Sequence, residues 1–405
     1  MQPLALDKEA AVWRDPRAVA LLLAATLTVM ANATISPALP GLESRFAEDP
    51  HAEMLTRLLV PAPSLTVALC APLAGLAADR FGRRWLLLAG MVLFVITGSA
   101  GLFLPDLPTI FASRLALGVA VAMIMTAQTA LIGDYFTGAP RSAMMGLQIS
   151  VRNFGGLVFI TLAGWLALTS PRLPFAVYAL AALFLPFVWA SIRDTQPPRH
   201  DTAPGGASAA AHAGHPAWRV LILALALLQL TTNMTFFVVP TQLPFFFVSL
   251  DYESASMTGA ALGTVMLTGG CAALAYGRMT RRLGHAGTLA LGFALLALGF
   301  TLLAAGSGRA TIFAGAAAIG AGYATVLPNF VALALALAPA RHRGLAGGIL
   351  TTAIFLGQFC SPFLSIPAID ALGFGGTFGW TAALLAALAL ASGLAGALAA
   401  LRRRT

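Results

Sequence analysis

Gly75-Leu76-Ala77-Ala78-Asp79-Arg80-Phe81-Gly82-Arg83-Arg84 places four ionised side chains within ten residues. An apolar run ends inside the stretch at Ala78, and another begins just after it at Trp85. Two membrane helices joined by a tight, basic turn account for the pattern. Gly75 allows a helix to pack closely, Gly82 allows the chain to reverse, and the arginines stay at headgroup level.

The stretch recurs. Adding 202 to Gly75, Arg80 and Gly82 lands on Gly277, Arg282 and Gly284. The same offset of 202 carries Phe111, Ala112 and Gly118 to Phe313, Ala314 and Gly320, and Arg141, Gly146 and Gly155 to Arg343, Gly348 and Gly357. A shift of 201 carries Asn32 and Thr34 to Asn233 and Thr235. A period of half the chain is the mark of two homologous halves in parallel repeat.

Of the 405 residues, 59% are hydrophobic and only 10% charged, against about 25% charged in soluble domains. Apolar runs fall at 18–40, 58–78, 86–104, 110–133, 142–168, 173–192, 219–248, 258–276, 286–305, 311–338, 344–369 and 376–400. Each is long enough to cross about 30 Å of hydrocarbon as a helix. The expected fold is an all-α integral membrane protein of twelve transmembrane helices in two six-helix repeats. The halves are residues 1–192 and 219–405, joined by a Pro- and Gly-rich cytoplasmic linker at 193–218. Ala31-Asn32-Ala33 has the small-x-small form of a signal-peptidase site, but the run containing it pairs with a full span in the second half.

A net charge of +9 would suggest a nucleic-acid partner in a soluble protein. Here 18 of the basic residues fall in segments on the side of the Gly75 loop and 4 in segments on the other. That excess places the loop and both termini in the cytoplasm, so the charge sets orientation and no nucleic acid is expected. Cys70, Cys271 and Cys360 lie in apolar runs without metal-ligand spacing, and the histidines lie outside the runs. No metal and no cofactor are expected.

The Gly75 stretch resembles the signature loop of the major facilitator superfamily, G-x-x-x-D-R-x-G-R-[RK], between its second and third helices. Arg114 to Gly118 resembles the second motif of that family, R-x-x-x-G. The resemblance implies a monomeric secondary transporter that works by alternating access. It also implies gating or coupling roles for Gly75, Asp79, Arg80, Gly82, Arg83, Arg114, Asp134 and Arg141. Asp79 is expected to clamp the halves in the outward-open state, against the start of the eleventh helix near Gly344 to Gly348. Two departures weaken the likeness to drug–proton antiporters. Asn32 stands where many of them carry an acidic residue, in the pattern L-D-x-T-I. In the fifth helix Gly146, Gly155 and Gly164 keep the spacing of G-x8-G-x3-G-P-x2-G-G, but Phe159-Ile160 replaces the Gly-Pro.

None of the fifteen acidic residues falls inside an apolar run, whereas Arg114 and Arg152 both do. A charge at mid-span costs at least about 2.5–3.5 kcal/mol, so each arginine needs a reason. Arg152 shares a helical stripe with Gln148, Gly155 and Gly156, which turns it toward the bundle or a cavity. Without a carboxylate in the membrane to pair with, a substrate anion is the expected partner. Asn32, Gln128, Asn153, Asn233 and Gln358 are the neutral hydrogen-bonding candidates for the same solute.

The expected function is movement of a small organic solute, as an exporter of a drug-like or anionic metabolite. The alternative is uptake, exchange or uniport of an organic anion such as a carboxylate or siderophore-like compound. A proton is the candidate coupling ion, though no span carries a group to bind it. The chain lacks the His, Cys or carboxylate cluster of a membrane enzyme and the large soluble domain of a receptor. Its preference for Arg over Lys and its Ala content point to a high-GC bacterium, hence to an inner-membrane location.

Overall fold

The computed structural model describes residues 14–136, 138–193, 216–306, 308–339 and 342–402, and every regular element among them is helical. Most of the expected linker, Arg341 and the extreme termini lie outside the described residues. Among the described residues, ten helices are long and apolar enough to cross a membrane. Two of these, Ser254–Ala305 and Arg343–Arg402, each contain one glycine at positive φ, Gly284 at 68° and Gly373 at 69°. Divided there, they complete a set of twelve spans. In the amino-terminal part these are α1 (Pro16–Ala33), α2 (Ala62–Phe81), α3 (Arg83–Ser99), α4 (Leu107–Tyr135), α5 (Gly138–Ala167) and α6 (Leu173–Ser191). The others are α7 (Trp218–Ser249), α8 (254–283), α9 (285–305), α10 (Arg309–Leu337), α11 (343–372) and α12 (374–402). The chain's contacts divide it into two compact units, Met1–Ala211 and His212–Thr405.

The α2–α3 turn is a single residue, Gly82, at φ 92° and ψ 144°. Its counterpart 202 residues on, Gly284, makes the same reversal between α8 and α9 at φ 68° and ψ 176°. An L side chain is strained at such angles, which is why both turns need glycine.

The two units repeat their internal contacts, not only their sequence. A methyl group placed on Gly90 of α3 would meet Met123, Ile124 and the Ala120 carbonyl of α4 at 3.0–3.2 Å. One placed on Gly292 of α9 would meet Thr325, Val326 and the Gly322 carbonyl of α10, each partner displaced by the same 202 residues. Gly118 of α4 presses on the Pro63 carbonyl and the Thr66 hydroxyl of α2, and Gly320 of α10 presses on the Val265 carbonyl and the Thr268 hydroxyl of α8. Small residues let these backbones approach, as expected where lipid supplies no hydrophobic drive for helix pairing. Opposite its contact face, α2 exposes Leu69, Leu73 and Leu76 while burying Val67, Ala74 and Ala78, which divides it into an exposed apolar stripe and a packed one.

Two local findings differ from the sequence reading. Gly75 has no neighbour within 4 Å of the position a side chain would take, so it makes no close packing contact. The run 18–40 is not one helix. α1 stops at Ala33, and Pro37 and Pro40 start a short 3-10 turn (Ser36–Ala38) and a helix (Leu39–Arg45), because proline fits the first turn of a helix but not its interior. Beyond it, helix Ala52–Leu58 buries Arg57 to 9% exposure, paired with Glu53 at 2.5 Å.

Candidate functional site

At the Gly82 end of the first unit, Arg83 opens α3 and forms an ion pair with Asp134 in the last turn of α4. It also reaches the Ala130 carbonyl at 3.5 Å. The Arg141 guanidinium approaches Gly133 on the same helix end. Arg83, Asp134 and Arg141 are therefore assembled around the turn that Gly82 makes. Asp79 and Arg80 are exposed, and the Arg80 guanidinium lies 5.7 Å from the Phe81 ring centre.

Deep in the same unit Arg114 is fully buried. Its Nε donates to the Leu59 carbonyl at 3.2 Å, at the end of the Ala52–Leu58 helix. One terminal nitrogen, NH2, donates to the Ala31 carbonyl in the last turn of α1. Both acceptors lie at helix carboxyl ends, where the partial negative charge favours a cation. The guanidinium carbon lies 4.9 Å over the Tyr178 ring, a cation–π contact, and the Tyr178 hydroxyl donates to the same Ala31 carbonyl at 3.4 Å. Tyr178 packs directly over Gly98 of α3, where an added side-chain carbon would lie only 2.7 Å from the tyrosine. No carboxylate pairs with Arg114 among the described residues, and its other terminal nitrogen, NH1, makes no hydrogen bond.

The remaining candidates in this unit separate into distinct environments. Arg152 occupies the midpoint of the 30-residue α5, half-buried and engaged in contacts of its own. The Asn153 amide donates to Ile149 on its own helix at 2.9 Å. Gln128 is buried and donates to the Leu21 carbonyl at 2.6 Å, tying α4 to α1. Asn32 is half-buried near the end of α1, likewise with a partner. A methyl group on Gly155 of α5 would lie 2.8 Å from the Thr26 side chain of α1. Phe159 and Ile160 are buried in an α5 that runs on unbroken where a Gly-Pro pair would bend it.

In the second unit the polar residues form three separate local links. The Asn233 amide donates to the Gln229 carbonyl at 2.8 Å, and its oxygen accepts from the Tyr323 hydroxyl of α10 at 2.7 Å. Phe236, one turn on, stacks against the Tyr323 ring with centres 3.7 Å apart and planes 9° apart. Gly357 of α11 packs on Leu230 and Asn233, which brings the buried Gln358 alongside α7. Gln229 is fully buried with both side-chain amide atoms unbonded, and Ser361 on α11 has an unbonded hydroxyl. Further along α7, Gln242 donates to Ser365 of α11 at 2.9 Å. The Asn329 oxygen accepts from Tyr276 at 3.1 Å and meets the His285 ring nitrogen at 2.9 Å. Sequence reading placed Asn233 and Gln358 in a site but left Gln229 and Tyr178 out of it. The available signal for Gln229 was its spacing of one turn from Asn233 on the same helix.

The family model described as Major Facilitator Superfamily matches residues 21–253 and 225–405. The chain belongs to the major facilitator superfamily. It resembles multidrug resistance protein 1 of Bacillus subtilis (strain 168), with 30% identity over 125 residues, 30% of this chain and 32% of that protein. It also resembles the quinolone resistance protein NorA of Staphylococcus aureus, with 25% identity over 146 residues, 36% of this chain and 37% of that one. These matches span about a third of each relative's length. Among solved structures, a D-xylose–proton symporter superposes with a TM-score of 0.75 at 18% identity, covering 93% of this chain and 96% of that one. The human organic anion transporter MFSD10 (TETRAN) superposes with a TM-score of 0.68 at 19% identity, covering 93% and 99%. At such identities the structures establish the major facilitator fold. As a member of this superfamily the protein is an integral membrane transporter. The described residues contain no group of His, Cys, Asp or Glu able to hold a metal ion.

Proposed function

We propose that this transporter exports a small organic solute carrying a negative charge, by alternating access of two homologous halves, residues 1–192 and 219–405, joined through 193–218. The observation that carries the charge assignment is the sign of the mid-span residues. Arg114 and Arg152 lie within spans, while every described acidic residue lies at a helix end or in a loop. Cations in a low-dielectric interior cost energy that an anionic solute offsets on binding. Arg152, at mid-length of α5, is the proposed counter-charge, since guanidinium grips a carboxylate through two parallel hydrogen bonds. Within the second unit taken by itself, the Asn233 and Gln358 amides and the flat Phe236–Tyr323 pair are uncharged groups able to meet a solute. That chemistry suits an amphiphilic solute with an aromatic or polar body. Partial likeness to multidrug and quinolone resistance proteins supports export. The excess of basic residues beside the Gly82 turn supports a cytoplasmic placement of that side and of both termini, in a bacterial inner membrane.

Equilibrium binding of one scaffold with and without its carboxylate tests the assignment. On the native protein the carboxylate form should bind more tightly. Arg152→Gln should weaken that form by about 2–5 kcal/mol if the pair is desolvated, and leave the neutral form unchanged. Arg152→Lys should recover only part of the loss. Equal losses for both forms, or none, would assign Arg152 to structure.

A further inference from the structure

The span α6 is wound in two ways. Leu173–Leu183 is a 3-10 helix of 11 residues, and Leu185–Ser191 is α-helical. A 3-10 run longer than about three or four residues is uncommon, because its hydrogen bonds are poorer. The local sequence favours the α form. Beyond Pro174 in the first turn, Phe175 to Leu183 contains no glycine or proline and is mostly alanine and leucine, the best α-helix formers.

The winding is imposed by α3. Residues three apart eclipse in a 3-10 helix, so the buried Phe175 and Tyr178 rings point the same way. They lie over Gly101 and Gly98, which are also three apart. An added side-chain carbon would lie 2.7 Å from Tyr178 at Gly98 and would overlap the Phe175 ring at Gly101. In an α-helix the two rings would stand about 60° apart around the axis, and only one could meet that line of glycines. The second unit displays the alternative. At the positions 202 residues beyond these glycines stand Phe300 and Leu303, both buried. There α12 is α-helical. Thr377 stands for Phe175, its hydroxyl donating one α turn back to the Gly373 carbonyl at 2.9 Å, and Trp380 stands for Tyr178 and is exposed.

We propose that Leu173–Leu183 is a two-state strut, 3-10 in this structure and α-helical in a second state of the transport cycle, with Gly98 and Gly101 selecting the winding. Conversion shortens the segment by about 5 Å, as the rise falls from about 2.0 to about 1.5 Å per residue. It also turns Tyr178 away from the buried Arg114 guanidinium, which now lies 4.9 Å over its ring. Both ends of α6 are anchored within the unit. Arg172 donates to the Leu102 carbonyl at 3.3 Å, and the Trp189 carbonyl accepts from Arg84, beside the Gly82 turn, at 2.9 Å. Shortening therefore draws these two anchors together, whichever solute is carried.

Spin labels at two exposed positions, Leu168→Cys ahead of α6 and Phe187→Cys beyond the 3-10 segment, test it. They are placed in the full-length transporter with Cys70, Cys271 and Cys360 replaced by alanine. Pulsed electron–electron resonance in nanodiscs should give a main distance and a minor one about 5 Å shorter. Phe175→Ala with Tyr178→Ala, which removes the rings, should make the shorter distance the main one. Gly98→Phe with Gly101→Leu, which installs the residues of the second unit, should do the same. Should the crowded glycine variant fail to fold, the alanine variant and the native protein decide. A native protein without the shorter distance would overturn the proposal, and so would a folded alanine variant that keeps the longer one.

Discussion

At the scale of single residues, the most exacting positions are glycines that face a backbone. A side chain on Gly118 has no room, because the Pro63 carbonyl and the Thr66 hydroxyl already occupy the space, and neither main-chain atom nor helix register can yield cheaply. Gly118→Ala should therefore lower stability by about 1–3 kcal/mol through overpacking. Gly320→Ala, the repeat-equivalent change, should do the same, since it meets the equivalent carbonyl of Val265. Gly75→Ala should be near neutral, having open space around it. Thermal unfolding of the three purified variants checks the order, and a native-like Tm for Gly118→Ala would show that α2 and α4 are not this close. Arg114 illustrates what a sequence conceals at this scale. Its buried charge is readable from its place in an apolar run, but its acceptors are the carbonyls of Ala31 and Leu59. Every residue carries a carbonyl, so no side-chain pattern could have announced them.

At the scale of elements, helices are tied by few polar links, and each can be measured. The Tyr323–Asn233 bond joins α10 to α7 at 2.7 Å, with Phe236 stacked on the same tyrosine. Removing either partner breaks this bond, so Tyr323→Phe, Asn233→Ala and the double variant should couple by about 0.5–3 kcal/mol. Additive losses within about 0.3 kcal/mol would deny the link. Gln128→Leu should likewise destabilise by about 1 kcal/mol, because the Leu21 carbonyl loses its side-chain donor. The elements themselves were largely legible, because an apolar run long enough to span lipid has few alternatives to a helix. The 202-residue offset read in Gly82 and Gly284 reappears as paired turns, and in Gly90 and Gly292 as paired contacts. The end of α1 was not legible, since Ile35 to Leu42 is as apolar as the helix before it and only Pro37 and Pro40 mark the change. The α6 span was expected as a helix, but its winding as a 3-10 helix over Leu173–Leu183 has no counterpart in its hydropathy.

At the scale of the whole molecule, two six-span units with a shared internal plan make a secondary transporter, and the open question is what chemistry the solute presents. The mid-span residues are basic or neutral, and the described carboxylates stay at helix ends and in loops. Transport should therefore produce little proton movement unless the solute itself carries the proton, which a pH-sensitive dye inside proteoliposomes would register. A strong proton flux abolished by Asn32→Ala alone would place a coupling site at the end of α1 instead. The claim that joins these scales is that charge on the solute decides recognition. Its most direct test is transport of a radiolabelled aromatic carboxylate and its uncharged amide, side by side, in proteoliposomes containing the native transporter or Arg152→Gln. The native protein should move the carboxylate faster than the amide, and Arg152→Gln should remove that preference while retaining transport of the amide. Faster movement of the amide by the native protein, or an unchanged preference in Arg152→Gln, would contradict the account.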